Sequence, residues 1–167
     1  MKYLILSIIG IFLFGGIALA QSRIDKGGVQ LNAGLGFSGW GIPVYVGMDF
    51  GVHQDVTIGG ELSYRNYNQK LYGNKYSHQV IGLLVNGNYH FNTLLEIPDP
   101  WDVYAGLNIG YYSWSSAGNY PGNSSAGVGL GLQVGGRYYF TDKIGINLVL
   151  GGGNNFSGGK IGVTIKF

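Results

Sequence analysis

Three histidines, His53, His78 and His90, are the side chains of this 167-residue chain best suited to proton transfer or metal binding. Their spacing makes no metal site. Cysteine is absent, which removes disulfides, thiolate metal centres and a cysteine nucleophile. Ser77 stands directly before His78, but a hydrolytic centre also needs a carboxylate to orient the base, and none falls into place. Asp49 and Glu61 would serve as a general acid–base pair only across a substrate cleft. The abundant glycines form no phosphate-binding loop between a strand and a helix. No catalytic, cofactor or metal site is therefore expected.

Charged residues make up only 11% of the chain, against roughly 25% in ordinary soluble domains. Glycine is abundant at 32 residues, and aromatics reach 14%. So many aromatics and so few charges exclude a disordered chain. The formal charge of +2 contains no basic run, so a nucleic-acid partner is not expected.

The first twenty residues read as a secretory signal peptide. Lys2 gives the positive start, Tyr3–Phe14 is almost wholly apolar, and Ala18-Leu19-Ala20 is a small-x-small cleavage signal before Gln21. The apolar stretch is short for a transmembrane helix. Residues 1–20 are thus the signal peptide and 21–167 a single domain.

That domain alternates with period two, the mark of strands with unlike faces. Eight such segments run over Val29–Ser38, Val44–Val52, Val56–Arg65, Ile81–Asn92, Val103–Tyr112, Val128–Phe140, Ile144–Leu150 and Lys160–Phe167. One face, such as Val44, Val46, Met48 and Phe50, is apolar throughout. The other is glycine, amide, hydroxyl and a few charges. A soluble barrel turns its apolar face inward and carries abundant charge outside. Here the polar face is small and sparsely charged, which suits a crowded interior. Strands in hydrocarbon must close into a barrel to pair every backbone group. The expected fold is all-β: an eight-stranded antiparallel up-and-down transmembrane β-barrel.

The connections alternate in length. His53–Asp55 and Thr141–Lys143 are short, and Thr93–Pro100 is longer. On the other side, Gln69–Ser77, Ser115–Ser125 and Gly151–Gly159 read as longer Gly-, Asn-, Ser- and Tyr-rich loops. Short periplasmic turns and longer external loops are the outer-membrane pattern, with both termini periplasmic. Aromatics cluster toward the strand ends as two interfacial belts. Phe37, Trp40, Tyr45, Tyr64, Tyr67, Tyr111, Trp114 and Tyr120 lie toward the external end. Phe91, Trp101, Tyr138, Phe140 and Phe167 lie toward the periplasmic end.

An interior this narrow is just filled by side chains. Its candidate polar cluster is Asp49, Glu61, Arg65, His90 and Arg137, with Asp49 and Glu61 paired to Arg137 and Arg65 placed higher. Lys160 is expected near the external end and Lys166 near the periplasmic end. Tyr72, Tyr76, Trp114, Tyr120 and Phe156 are the candidate external-loop contacts for a surface ligand, since aromatics give large contact area at low entropy cost.

The segment Lys160-Ile-Gly-Val-Thr-Ile-Lys-Phe167, alternating and ending in Phe, resembles the C-terminal signal of small outer-membrane β-barrels. Gly136–Ile146 resembles the turn before their last hairpin. The chain as a whole is similar to the OmpX-like and OmpA transmembrane-domain-like family, in the short form common in Bacteroidetes-type bacteria. The resemblance implies an outer-membrane location, contact with its lipids, and recognition by the barrel-insertion machinery through the Phe167 segment. It also implies a structural or surface-interaction (adhesion) role. A narrow passive channel is the second reading, and an outer-membrane lipid-modifying enzyme the third.

Overall fold

The computed structural model describes residues 24–39, 41–71, 74–116, 126–154 and 157–167. Eight strands follow in chain order: β1 (Val29–Ser38), β2 (Val44–His53), β3 (Val56–Leu71), β4 (Asn74–His90), β5 (Trp101–Ser116), β6 (Gly127–Tyr139), β7 (Ile144–Gly153) and β8 (Ser157–Lys166). Each pairs antiparallel with the next, and β8 closes onto β1 through pairs such as Leu31 with Ile165 and Leu35 with Ile161. The fold is the expected all-β, eight-stranded, antiparallel up-and-down barrel. Closure leaves no edge strand to be covered.

Alternation becomes inside and outside. Along β2, Tyr45, Gly47 and Asp49 are buried, while Val44, Val46, Met48 and Phe50 are exposed. The exposed face continues around the molecule through Leu62, Leu83, Leu107, Leu130, Leu132, Leu148 and Ile161. Leu107 and Leu132 leave 65% and 66% of their surface uncovered, so the apolar surface of this molecule is its outer wall.

Several strands run further than their apolar pattern. β3 and β4 stay paired up to Leu71 and Asn74, and β5 reaches Ser116. β7 and β8 remain paired as far as Gly152 and Ser157. The expected loops Gln69–Ser77, Ser115–Ser125 and Gly151–Gly159 are shorter for it. A ladder needs only backbone donors and acceptors, so pairing continues where side chains turn to Asn, Gln and Ser. The strands β3, β4 and β5 thereby form a taller wall at the end of the barrel away from the chain termini, here called the distal end.

The opposite, terminal end is closed by turns and by the chain before β1. Gly27 N–H donates to the Gly51 carbonyl and Gly51 N–H to the Gly28 carbonyl, at 2.7 and 3.0 Å. Gly27 has φ of 86°, a conformation that favours glycine. This ties Ile24 beneath the barrel, where it is buried. Residues 1–23, including the expected signal peptide, lie outside the described residues.

Candidate functional site

The site is the lumen, and it is stratified. At its terminal end the inward residues of all eight strands form a continuous polar floor. Arg137 on β6 is its centre. Its guanidinium donates to Asp49 on β2 at 2.6 Å and to Asp102 on β5 at 3.0 Å, and it lies 4.4 Å from the centre of the Tyr104 ring. All four side chains are buried. Asp102 also meets His90 Nδ1 at 2.7 Å, and His90 Nε2 meets the Thr57 hydroxyl at 3.1 Å.

The other half of the floor is mostly amides and hydroxyls. The Asn32 amide donates to Asp49 at 2.9 Å and accepts from the Thr164 hydroxyl at 2.9 Å. The Gln30 amide and the Tyr139 hydroxyl are 2.5 Å apart. Lys166 stands over the Tyr139 ring at 4.1 Å. Gln30, Asp102 and Thr164 have no exposed surface at all. Buried polar groups cost free energy unless paired, and here they are paired across strands far apart in sequence.

Above the floor the lumen loosens. Lys160 on β8 donates to Glu61 on β3 at 2.6 Å. Tyr45 donates to Asn147 at 2.8 Å, and Gln133 donates to Asn88 at 2.7 Å. Two cavities meet at this level, sharing Tyr45, Glu61, Gln133, Val149 and Lys160. The lower, between Asp49, Asn86, Tyr104 and Arg137, has about 30 Å³ of room for water. The upper, between Arg65, Leu84, Tyr112 and Val149, has about 20 Å³ of room for water.

The taller wall carries a small apolar cluster of Val80, Leu84 and Tyr112, with Tyr67 and Trp114 packed on it. Tyr67 stacks on His78 with ring centres 4.9 Å apart.

Some sequence expectations change in detail. Glu61 does not pair with Arg137. It is on the same inward face as Asp49 but further up the lumen, where Lys160 reaches it; the second carboxylate on Arg137 is Asp102. Lys160 therefore lies in mid-lumen, not near the external end. Tyr45 and Tyr67 face inward rather than joining a belt. Trp114 and Tyr76 are strand residues of β5 and β4, not loop contacts, because the ladder outlasts the apolar pattern. Trp114 packs inward on the apolar cluster. Tyr72, Tyr120 and Phe156, and the belt residue Trp40, lie outside the described residues.

Asp102 is the functional residue that sequence reasoning missed. Tyr104 was on the polar face, so parity alone puts Asp102 there too. The first apolar residue of that segment, Val103, follows Asp102 and concealed it.

Thr57, His90 and Asp102 line up as hydroxyl, imidazole and carboxylate, the order of a hydrolytic triad. They cannot work as one. All three are buried within the floor, with 0 to 1% exposure, and Thr57 also accepts a hydrogen bond from Asn88. Among the described residues no cleft brings a substrate carbonyl to the hydroxyl. Among the described residues no group of His, Asp and Glu is arranged to hold a metal ion. These contacts hold the floor together.

The outward aromatics of the terminal end stack on one another. Trp101 meets Tyr138 at 4.7 Å, Tyr138 meets Phe140 at 5.3 Å, and Tyr89 meets Phe91 at 5.3 Å between ring centres. Among the described residues, Phe37, Tyr64 and Tyr111 are outward aromatics toward the distal end.

The fold has solved counterparts. The N-terminal β-barrel domain of Pseudomonas aeruginosa OprF superposes with a TM-score of 0.60 at 16% identity, covering 85% of this chain and 98% of that one. Neisserial surface protein A gives 0.60 at 16% identity, covering 84% and 96%. The outer membrane protein OprG from Pseudomonas aeruginosa gives 0.65 at 10% identity, covering 86% and 97%. The chain is a small antiparallel β-barrel resembling outer-membrane barrel proteins. No family model matches it, and no curated protein matches it in sequence. At these identities the likeness speaks for the fold, and the lumen chemistry has to be argued from this chain's own residues.

Proposed function

We propose that the chain is exported, loses residues 1–20 after Ala20, and spans a bacterial outer membrane as a monomeric barrel with a sealed polar interior. Its role is then structural or surface-interacting, including adhesion, rather than catalytic. The observation that carries this reading is the floor. Every strand contributes to it, and its central ions and amides are buried and paired. The apolar outer wall suits lipid, and the stacked aromatics at the terminal end suit a headgroup interface. Both termini then face the periplasm, and the C-terminal strand ending in Phe167 is the segment offered to the insertion machinery.

The absence of cysteine makes the placement directly testable. Gly39 is exposed at the distal end, with nothing near an added side chain, and Asp142 is exposed in the terminal-end turn. In intact bacterial cells, Gly39→Cys should react with a bulky, membrane-impermeant maleimide. Asp142→Cys should react only after the outer membrane is broken. The reverse pattern would contradict the orientation, and a chain found in the soluble fraction would contradict the membrane assignment.

A narrow passive channel is the second reading. The two adjoining cavities favour it, since only the floor separates the lower one from the terminal end.

A further inference from the structure

The turn between β4 and β5, Thr93–Pro100, is longer than the other two at the terminal end, and hydrogen bonds fix its shape. Leu95 N–H donates to the Phe91 carbonyl at 2.8 Å, and Ile97 N–H donates to the Asn92 carbonyl at 3.0 Å. Between them Glu96 has φ of 50°. This is one turn of helix closed by a left-handed residue. The buried Asn92 side chain ties the two stems. It donates to the Trp101 carbonyl at 2.6 Å and accepts from Val103 N–H at 3.3 Å. The Thr93 hydroxyl braces the turn against Asp55 on one side, and Tyr139 N–H meets the Pro100 carbonyl on the other.

This braced backbone holds two leucines away from any core. Leu94 and Leu95 leave 64% and 62% of their surface uncovered, about as much as Leu107 and Leu132 on the outer wall. The other turns at this end, His53–Asp55 and Thr141–Lys143, carry no apolar residue. The pair is therefore particular to this turn. Exposed apolar side chains grouped on a rigid surface mark a place that something apolar covers.

The neighbours of the pair indicate what that is. Side chains three and four positions apart in a helical turn stand next to one another. Leu94 and Leu95 are three and four positions after Phe91, which stacks on Tyr89 at the aromatic end of the outer wall. The other stem is the outward Trp101, stacked on Tyr138. The leucines thus continue the apolar wall past its aromatic end. The charged residues of the turn are Glu96 and Asp99, both exposed, with no base among them. Two carboxylates and no base suit a zwitterionic surface better than an anionic one.

We propose that the β4–β5 turn is a lipid-docking foot, with Leu94 and Leu95 set into the boundary between headgroups and acyl chains of a zwitterionic phospholipid leaflet and Glu96 and Asp99 left in water. The foot rests on the transmembrane placement proposed above and adds to it a contact made outside the strands.

The test uses the mature protein, methyl-labelled at leucine and threonine, in nanodiscs of phosphatidylcholine. Paramagnetic broadening is read twice, once with a lipid carrying a nitroxide on its acyl chain and once with a water-soluble gadolinium chelate. Leu107 reports the outer wall, and the exposed Thr141 reports a polar turn at the same end. The Leu94 and Leu95 methyls should be broadened at least fivefold more than Thr141 by the nitroxide lipid and at least fivefold less by the chelate. If both leucines follow Thr141 while Leu107 responds to the nitroxide lipid, the foot is overturned and the membrane placement stands; the pair then faces water or a water-borne partner. If Leu107 does not respond to the nitroxide lipid, the placement fails and the foot with it. The comparison needs no variant, so it does not depend on an altered chain folding.

Discussion

Arg137 holds two buried carboxylates. Taking the guanidinium away leaves Asp49 and Asp102 buried and facing one another through the floor. Breaking a buried ion pair by removing one partner costs about 3–5 kcal/mol, whereas replacing the whole set with apolar residues is often neutral. Arg137→Met should therefore lose roughly that much stability in urea titrations of the micelle-folded protein. The triple variant Asp49→Leu, Asp102→Leu, Arg137→Met should recover most of it. A single variant as stable as the parent would show that the floor's charges are not mutually dependent.

The glycines at this scale divide by face. An added methyl at Gly135 would run into the Tyr104 ring, on which Arg137 rests, whereas one at Gly87 points outward and meets nothing within 4 Å. Gly135→Ala should cost about 1–3 kcal/mol as an overpacked interior site. Gly87→Ala should fall within about 0.5 kcal/mol of the parent, as outer sites usually do. Equal effects in the same urea titration would deny the Gly135–Tyr104 contact its importance.

At the scale of the strand, the two faces obey different solvents. Leu107 lies mid-strand on the outer wall of β5, flanked on β4 and β6 by Gly87 and Leu132. In the membrane placement proposed above, an arginine there would face hydrocarbon, at a cost of about 2–4 kcal/mol near the midplane. Leu107→Arg should lower stability in lipid vesicles by that order, and the penalty should shrink as the same change moves toward Tyr111. A flat profile along β5 would mean that the outer wall is not facing lipid.

The strand is also the scale at which the sequence was most legible. Alternation in Val44–Val52 or Val128–Phe140 reads directly as an inside and an outside, because each side chain's face is fixed by parity. Strand ends were not legible. Asn66, Asn68, Ser77 and Gln79 belong to the ladder of β3 and β4, yet carry no apolar signal. Trp114 was misplaced for the same reason. Partners across the lumen were hidden more deeply. Tyr45 meets Asn147 from 102 residues away, and Arg137 meets Asp49 from 88. Such pairs depend on the stagger of the closed sheet, and one strand's pattern carries no information on its neighbour's height.

For the whole molecule, the question is whether the lumen is a path or a plug. Two small cavities adjoin at the Glu61–Lys160 level, and below them every strand adds a buried polar side chain to the floor. An eight-stranded barrel is narrow enough for side chains to fill it, and this one is filled from the terminal end upward. The sealed floor proposed above passes no ions, and single-channel recording of the refolded mature protein in planar bilayers checks this. Silence is expected from protein shown to be folded and inserted. Steady, reproducible openings would demonstrate a continuous water path through the Arg137 layer and overturn the sealed floor.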